Sequence, residues 1–237
     1  MAPTAVVVER LVTLPQRLPQ HEYHLRLGAH AWTIVHSGAV LSEWDEQRLL
    51  SEERSVAPYG LALWPAAIAL AHELASRAAD LAGKRVLELG SGTGLPGIVA
   101  ATYGARVVQS DRHEAALALG RTNAERNGAR SIEHRLGDWT EWSDTERYDL
   151  VLGADVLYAP RFHPALRAIF DANLAPDGVL LLTDPFRSAS LRLLESMEHD
   201  GWRVSLTKWK LGGGWGERAI AGYECGRAVP YPVPGTN

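Results

Sequence analysis

Three features close together in the chain carry chemistry: Glu88, the turn Gly90-Ser91-Gly92-Thr93-Gly94, and Asp111. Glu88 ends an apolar run, "VLELG", and the glycines follow at once. Glycine there lets the backbone approach a ligand closely. The turn reads G-x-G-x-G. The dinucleotide fingerprint needs glycine at position 95, which is Leu95, and the phosphate loop needs a lysine that the segment lacks. A carboxylate at 88 repels a pyrophosphate and attracts an ammonium or sulfonium. Asp111 follows Gly90 by about twenty residues, the spacing at which an acid accepts hydrogen bonds from ribose hydroxyls.

Together these residues call for a nucleoside with a positive, amine-bearing tail, and S-adenosylmethionine has that form. Asp138-Trp139 adds a carboxylate and an aromatic plane where an adenine would lie. Trp64, opening a helix just upstream, is expected to lean over the same pocket. A metal site is not expected. His21 and His24 form H-x-x-H without a cysteine or third ligand nearby.

The elements that must hold these residues alternate. "LWPAAIALAHELASR" predicts an amphipathic helix with Pro65 in its first turn. After it come strand "KRVLELG", helix "GLPGIVAATYG", strand "ARVVQSD", helix "HEAALALGRTNAERNG", strand "IEHRLGDW" and strand "YDLVLGADVLY". Helix "PALRAIFDANLAPDG" is expected to stop at Pro176 and Gly178, before strand "VLLLTDP" and helix "ASLRLLESMEHDG". Five strand–helix units predict an α/β, doubly wound, mostly parallel sheet. "WRVSLTKW" and "RAIAGYE" have no helix between them, so they form an antiparallel hairpin at its edge. Near the start, "EYHLRLG" and "AWTIVHS" alternate around Gly28 as a strand pair, and "LSEWDEQRLLSEE" is a short helix or loop. The expected organisation is a β-containing extension at 1–57, a main domain at 58–228 and a proline-rich tail at 229–237.

With 237 residues, 46 % apolar, the chain can bury a sizeable core. A net charge of −4, with acids and bases interspersed, gives no basic patch for nucleic acid and no polybasic membrane anchor. The N-terminus lacks a signal-peptide pattern, and no stretch approaches the roughly 20 apolar residues of a membrane span. Cys225 is the single cysteine, which excludes an intrachain disulfide. A soluble cytoplasmic protein is expected; the oligomeric state stays open.

The segments "LWPAAIALA", "VLELGSGTGLPGIVAA", "GARVVQSD", "GDW" and "LGADVLY" resemble the seven-strand, adenosylmethionine-dependent methyltransferases of the protein lysine methyltransferase-like family. The resemblance covers about residues 58–210. Leu63-Trp64-Pro65 together with Ala154-Asp155-Val156-Leu157-Tyr158 is its most specific part. It implies that Trp64, Gly90, Ser91 and Gly92 line the cofactor, with Glu88 near its methionine end. Asp111 would take the ribose, Trp139 the adenine ring with Asp138 at its amino group, and Ala154 the region near the sulfonium. Asp155 and Tyr158, a D-x-x-Y motif, would shape the entry for a substrate amine and carry catalysis. The implied reaction is N-methylation of a protein side chain, lysine first. A small amine is the alternative acceptor, and a non-catalytic binding module is the reading from another class.

Overall fold

The computed structural model describes residues 20–39, 59–212 and 217–227. It begins with a hairpin, β1 (His21–Leu27) and β2 (His30–His36). Two short strands, β3 (Gly38–Ala39) and β4 (Ala62–Leu63), pair in parallel. The chain continues through α1 (Pro65–Ser76), β5 (Arg85–Leu89), α2 (Leu95–Thr102), β6 (Arg106–Asp111), α3 (Glu114–Arg126) and β7 (Ile132–Leu136). Then follow β8 (Tyr148–Ala154), α4 (His163–Asn173), β9 (Leu174–Asp184), α5 (Ser188–His199), β10 (Trp202–Leu211) and β11 (Arg218–Arg227). The main sheet has seven strands in the order β10-β11-β9-β8-β5-β6-β7. Strands β5 to β9 run parallel, and β11 is antiparallel to both β9 and β10. The expected doubly wound sheet with its antiparallel final hairpin is thus what the chain forms. The loop-or-helix segment "LSEWDEQRLLSEE" and the tail 229–237 lie outside the described residues.

A parallel sheet is covered on both faces, and its side chains alternate between them. Val86 joins a core with Leu70 and Leu74 of α1 and Ile98 and Val99 of α2. Leu87 and Leu89 join the opposite core with Leu166 and Phe170 of α4 and Leu194 and Met197 of α5. All eleven of these side chains are fully buried or nearly so. Burying a side chain of this size contributes roughly 1.5–3 kcal/mol.

One boundary differs from expectation. Helix α4 stops at Asn173, and Pro176 and Gly178 lie inside β9 rather than ending the helix. Asn173 is buried and tied down: it donates to the carbonyls of Asp144 and Glu146 and accepts from Trp142 Nε1. Leu174 then pairs with Tyr148, and a register shift before Leu150 absorbs the proline-bearing stretch.

The N-terminal hairpin docks on α3 through two asparagines one helical turn apart. Asn123 accepts from Val35 N at 2.8 Å and donates to Val35 O, and Asn127 does the same for Thr33. Their amides stand in for a neighbouring strand along the edge of β2.

Candidate functional site

Strand β5 lies between β6 and β8, so the chain leaves it in one direction and later returns on its other side. Ligands bind at such a switch point, beyond the carboxyl ends of the strands. The glycine turn occupies that position. Gly90, Gly92 and Gly94 have φ of 62°, 52° and 81°, the left-handed region open to glycine. Close approach is a second reason for glycine at 90. A Cβ there would lie 3.2 Å from the Trp139 ring and 3.3 Å from Val156. Ser91 N extends the β5–β6 ladder to Ser110 O, while the buried Ser91 hydroxyl has no hydrogen-bond partner. Gly60 crosses the turn, its carbonyl 3.1 Å from where a Cβ of Gly92 would be.

Asp111 ends β6 facing this turn. Its Oδ2 accepts from Gly92 N at 3.1 Å and its Oδ1 from His113 N at 2.9 Å. Burial raises its pKa, and these two N–H groups oppose the rise. Each carboxylate oxygen keeps acceptor capacity beyond one bond. Asp138 caps the short helical turn Trp139–Glu141 by accepting from Thr140 N, which holds its pKa below the usual range. Its Oδ1 also accepts from Thr140 Oγ1, which fixes the turn that carries Trp139. Trp139 packs edge-on against Phe162 and lies 6.3 Å from the Tyr158 ring. Phe162 completes an aromatic group that sequence reasoning missed. Tyr158 is part of this aromatic group, its ring centroid 6.0 Å from that of Phe162. Its ring, 47 % exposed, belongs with Trp139.

Glu88 departs from its expected role. Strand alternation turns it to the same face as Val86, under α2. There its Oε2 accepts from Gln109 Nε2 at 2.7 Å and from Gly97 N at 3.1 Å. Burial pushes its pKa up to about 8, so it is largely neutral at pH 7. The carboxyl is thus held beneath the turn by Gln109 and Gly97. Gln109 also donates to Gly94 O at 2.8 Å, which ties the turn to β6. The signal was in the sequence: a glutamine interrupting the apolar run "RVVQSD".

Asp155, Trp64 and Ala154 gather on the other side of the switch point. Asp155 lines a cleft with Trp64, Pro65, Pro185 and Arg218. Its carboxylate is held by Arg187, with Nε to Oδ1 and Nη2 to Oδ2 both 2.9 Å. Trp64 precedes α1 and donates from Nε1 to Tyr59 O. Ala154, partly buried, packs against the cluster of Ala66, Ala69 and Ile220. Among the described residues, no group of three or more His, Cys, Asp or Glu is arranged to hold a metal ion, and no helix is long and apolar enough to cross a membrane.

A doubly wound sheet of this strand order, with a glycine turn after its central strand, defines the Rossmann-like methyltransferase fold. The precorrin-6y C5,15-methyltransferase of Geobacter metallireducens superposes with a TM-score of 0.57 at 16 % identity, over 75 % of this chain and 96 % of that one. Residues 43–199 match the lysine methyltransferase family, and the chain belongs to that family. The protein N-lysine methyltransferase METTL21A of Danio rerio is 40 % identical over 128 residues, which is 51 % of this chain and 58 % of that protein. The histone-arginine methyltransferase METTL23 of Xenopus laevis is 38 % identical over 163 residues, 65 % of each. The chain thus spans less than two thirds of these relatives' length.

Proposed function

We propose that the protein transfers the methyl group of S-adenosylmethionine to a side-chain nitrogen of another protein, with lysine as the acceptor. The carrying observation is the meeting of the glycine turn, Asp111 and Trp139 at one switch point, inside a chain of the lysine methyltransferase family. The residues fit this cofactor. Ser91 offers a buried hydroxyl without a partner, Asp111 offers free acceptor capacity, and Trp139 offers an aromatic face. Trp64, Gly90, Ser91, Gly92, Asp111 and Trp139 would hold it, and Asp155 and Tyr158 would meet the acceptor. The cofactor supplies an activated methyl group on a sulfonium.

The chain's own contribution is alignment, exclusion of water and control of a proton. A free lysine has a pKa of about 10.4, so the attacking amine must be held in its neutral form. Asp155 is suited to accept an N–H of that amine, and the exposed Tyr158 ring to wall its approach. Arginine is the second reading, favoured by the METTL23 relative. The interspersed charge supports a protein acceptor over a nucleic acid. We further read residues 58–228 as the catalytic unit, with 1–57 as an extension and 229–237 as a tail. A cytoplasmic location is our reading of the single cysteine, Cys225, a buried thiol whose pKa burial raises to about 12.

The test has two arms. Calorimetry should detect adenosylhomocysteine and adenosylmethionine binding without comparable binding of NAD or ATP. Methyl-labelled adenosylmethionine and a cytosolic protein extract should then give label in protein. NAD binding alone, or label confined to small molecules, would reject the proposal.

A further inference from the structure

We propose that Arg187 is a positioning residue for methyl transfer: its guanidinium clamps Asp155 so that this carboxylate receives a neutral amine. The inference rests on the reading that Asp155 faces the acceptor.

The clamp is a two-bond fork, both bonds 2.9 Å, between a nearly buried carboxylate (8 % exposed) and a partly buried guanidinium (28 %). Backbone strain surrounds it. Asp155 (φ 54°) and Phe186 (φ 61°) are the two non-glycine residues with positive φ among the described residues. One follows β8 and the other follows β9, the strand paired beside it. Such conformations cost roughly 1–3 kcal/mol each and persist where the surroundings hold them. Here the restraints are specific. Asp155 N donates to Thr183 O at 2.8 Å. The buried Asp184 accepts from Arg187 N and from Ser190 Oγ, both at 2.6 Å. One buried acid thus fixes the backbone of Arg187, and the side chain of Arg187 fixes a second acid that lines the cleft beside Trp64.

Two consequences bear on an amine. A carboxylate has about four acceptor positions, and the fork uses one on each oxygen, leaving others for an N–H donor. Within the fork one negative formal charge faces one positive one. A lone carboxylate would stabilise an arriving lysine as its unreactive ammonium, and the adjacent guanidinium cancels that preference. Among the described residues, titratable groups near the pair include Asp184 at the end of β9, Tyr158 beyond β8 and Arg218 on β11, while Trp64 and Pro65 at the start of α1 carry no charge.

The experiment follows label transfer from adenosylmethionine to protein in a cytosolic extract, from neutral to alkaline pH, with R187Q, R187K, D155N and the double variant D155N/R187Q. For R187Q we expect transfer at neutral pH to fall about tenfold as its rising limb moves up by roughly one pH unit. Adenosylhomocysteine affinity, measured by calorimetry, should not change. In the double variant the limb should return towards the wild-type pH, because the lone carboxylate is gone. Its loss should be smaller than the two single losses combined. R187K keeps the charge without the fork, so its limb should stay in place while the rate falls several-fold. A wild-type rate in R187Q, or a loss uniform across pH with the limb unmoved, would overturn the proposal. If R187Q does not fold, R187K decides: an unchanged rate overturns the clamp. D155N at the wild-type rate would instead refute the reading of Asp155 itself. An impaired D155N beside an unaffected R187Q would refute only the clamp.

Discussion

Gln109 on β6 donates its side-chain amide to Glu88 on β5 at 2.7 Å, and the two residues are direct register partners. Both are fully or almost fully buried beneath the glycine turn. Gln109 reaches Gly94 O with the same nitrogen, and Glu88 receives the N–H of Gly97 from the first turns of α2. The turn is therefore supported from below by a polar network inside an apolar core. Losing one member strands the others in low dielectric, which costs about 1–3 kcal/mol per unsatisfied group.

Gly97→Ala should destabilise the protein, although alanine in place of a helical glycine ordinarily stabilises by roughly 0.5–1 kcal/mol. A Cβ at 97 would lie 2.5 Å from both Glu88 Oε2 and Gln109 Nε2. Overpacking of this kind costs about 1–3 kcal/mol. Chemical denaturation measures the sign, and a stabilised variant would mean that the network yields easily.

Glu88 should make stability fall as pH rises. Its carboxyl has a raised pKa, about 8 against an ordinary 4.5, so the native state binds the proton more tightly than the unfolded chain. The contribution is fully present below the ordinary value, is lost between pH 4.5 and about 8, and then levels off. At about 1.4 kcal/mol per pH unit this amounts to several kcal/mol. Glu88→Gln, which keeps an oxygen for Gln109 and Gly97, should flatten the profile and exceed wild type at pH 8 and above. Parallel denaturation curves for the two proteins across this window would contradict the assignment.

Asp111→Asn should weaken adenosylhomocysteine binding by about tenfold to a hundredfold, the scale of a charge-assisted hydrogen bond. Asparagine keeps one of the two acceptors that hold Gly92 N and His113 N, whereas alanine removes both and loosens the turn further. Calorimetry on a variant with an unchanged melting temperature gives a clean reading. Wild-type affinity would remove Asp111 from the site.

Asn123→Ala should cost about 2–4 kcal/mol, because it strands Val35 N, Val35 O and the Thr93 carbonyl, all met by one buried amide. Since Thr93 belongs to the glycine turn, cofactor affinity should fall too. Asn127→Ala, at a partly buried position away from the turn, should cost less and leave affinity intact. Equal effects of the two substitutions on affinity would exclude a link from the hairpin to the turn through Asn123.

Much of the architecture was legible in the chain. The alternation of apolar runs and helical stretches gave the order of elements, and Gly104 and Asn127-Gly128 marked helix ends close to where they fall. Leu95 in place of the third fingerprint glycine, and the absence of a following lysine, already argued against both phosphate cradles. These are local properties. Left-handed φ, helical period and strand period are set within a few residues, so composition and spacing carry them.

Other features were decided by the tertiary structure. Period two says that Glu88 and Leu89 face opposite ways, but only the packing of α2 over one face buries Glu88 and so raises its pKa. Asp155 and Arg187 are 32 residues apart, and no spacing rule joins them. They meet because β8 and β9 are neighbours in the sheet and both chains turn at the same end. Tyr158 meets Trp139, and Asn123 reaches β2, across gaps that no spacing rule spans either. Hydrogen bonds and ion pairs act over about 3 Å, so their partners depend on strand order and register, which form only when the whole sheet closes its two cores.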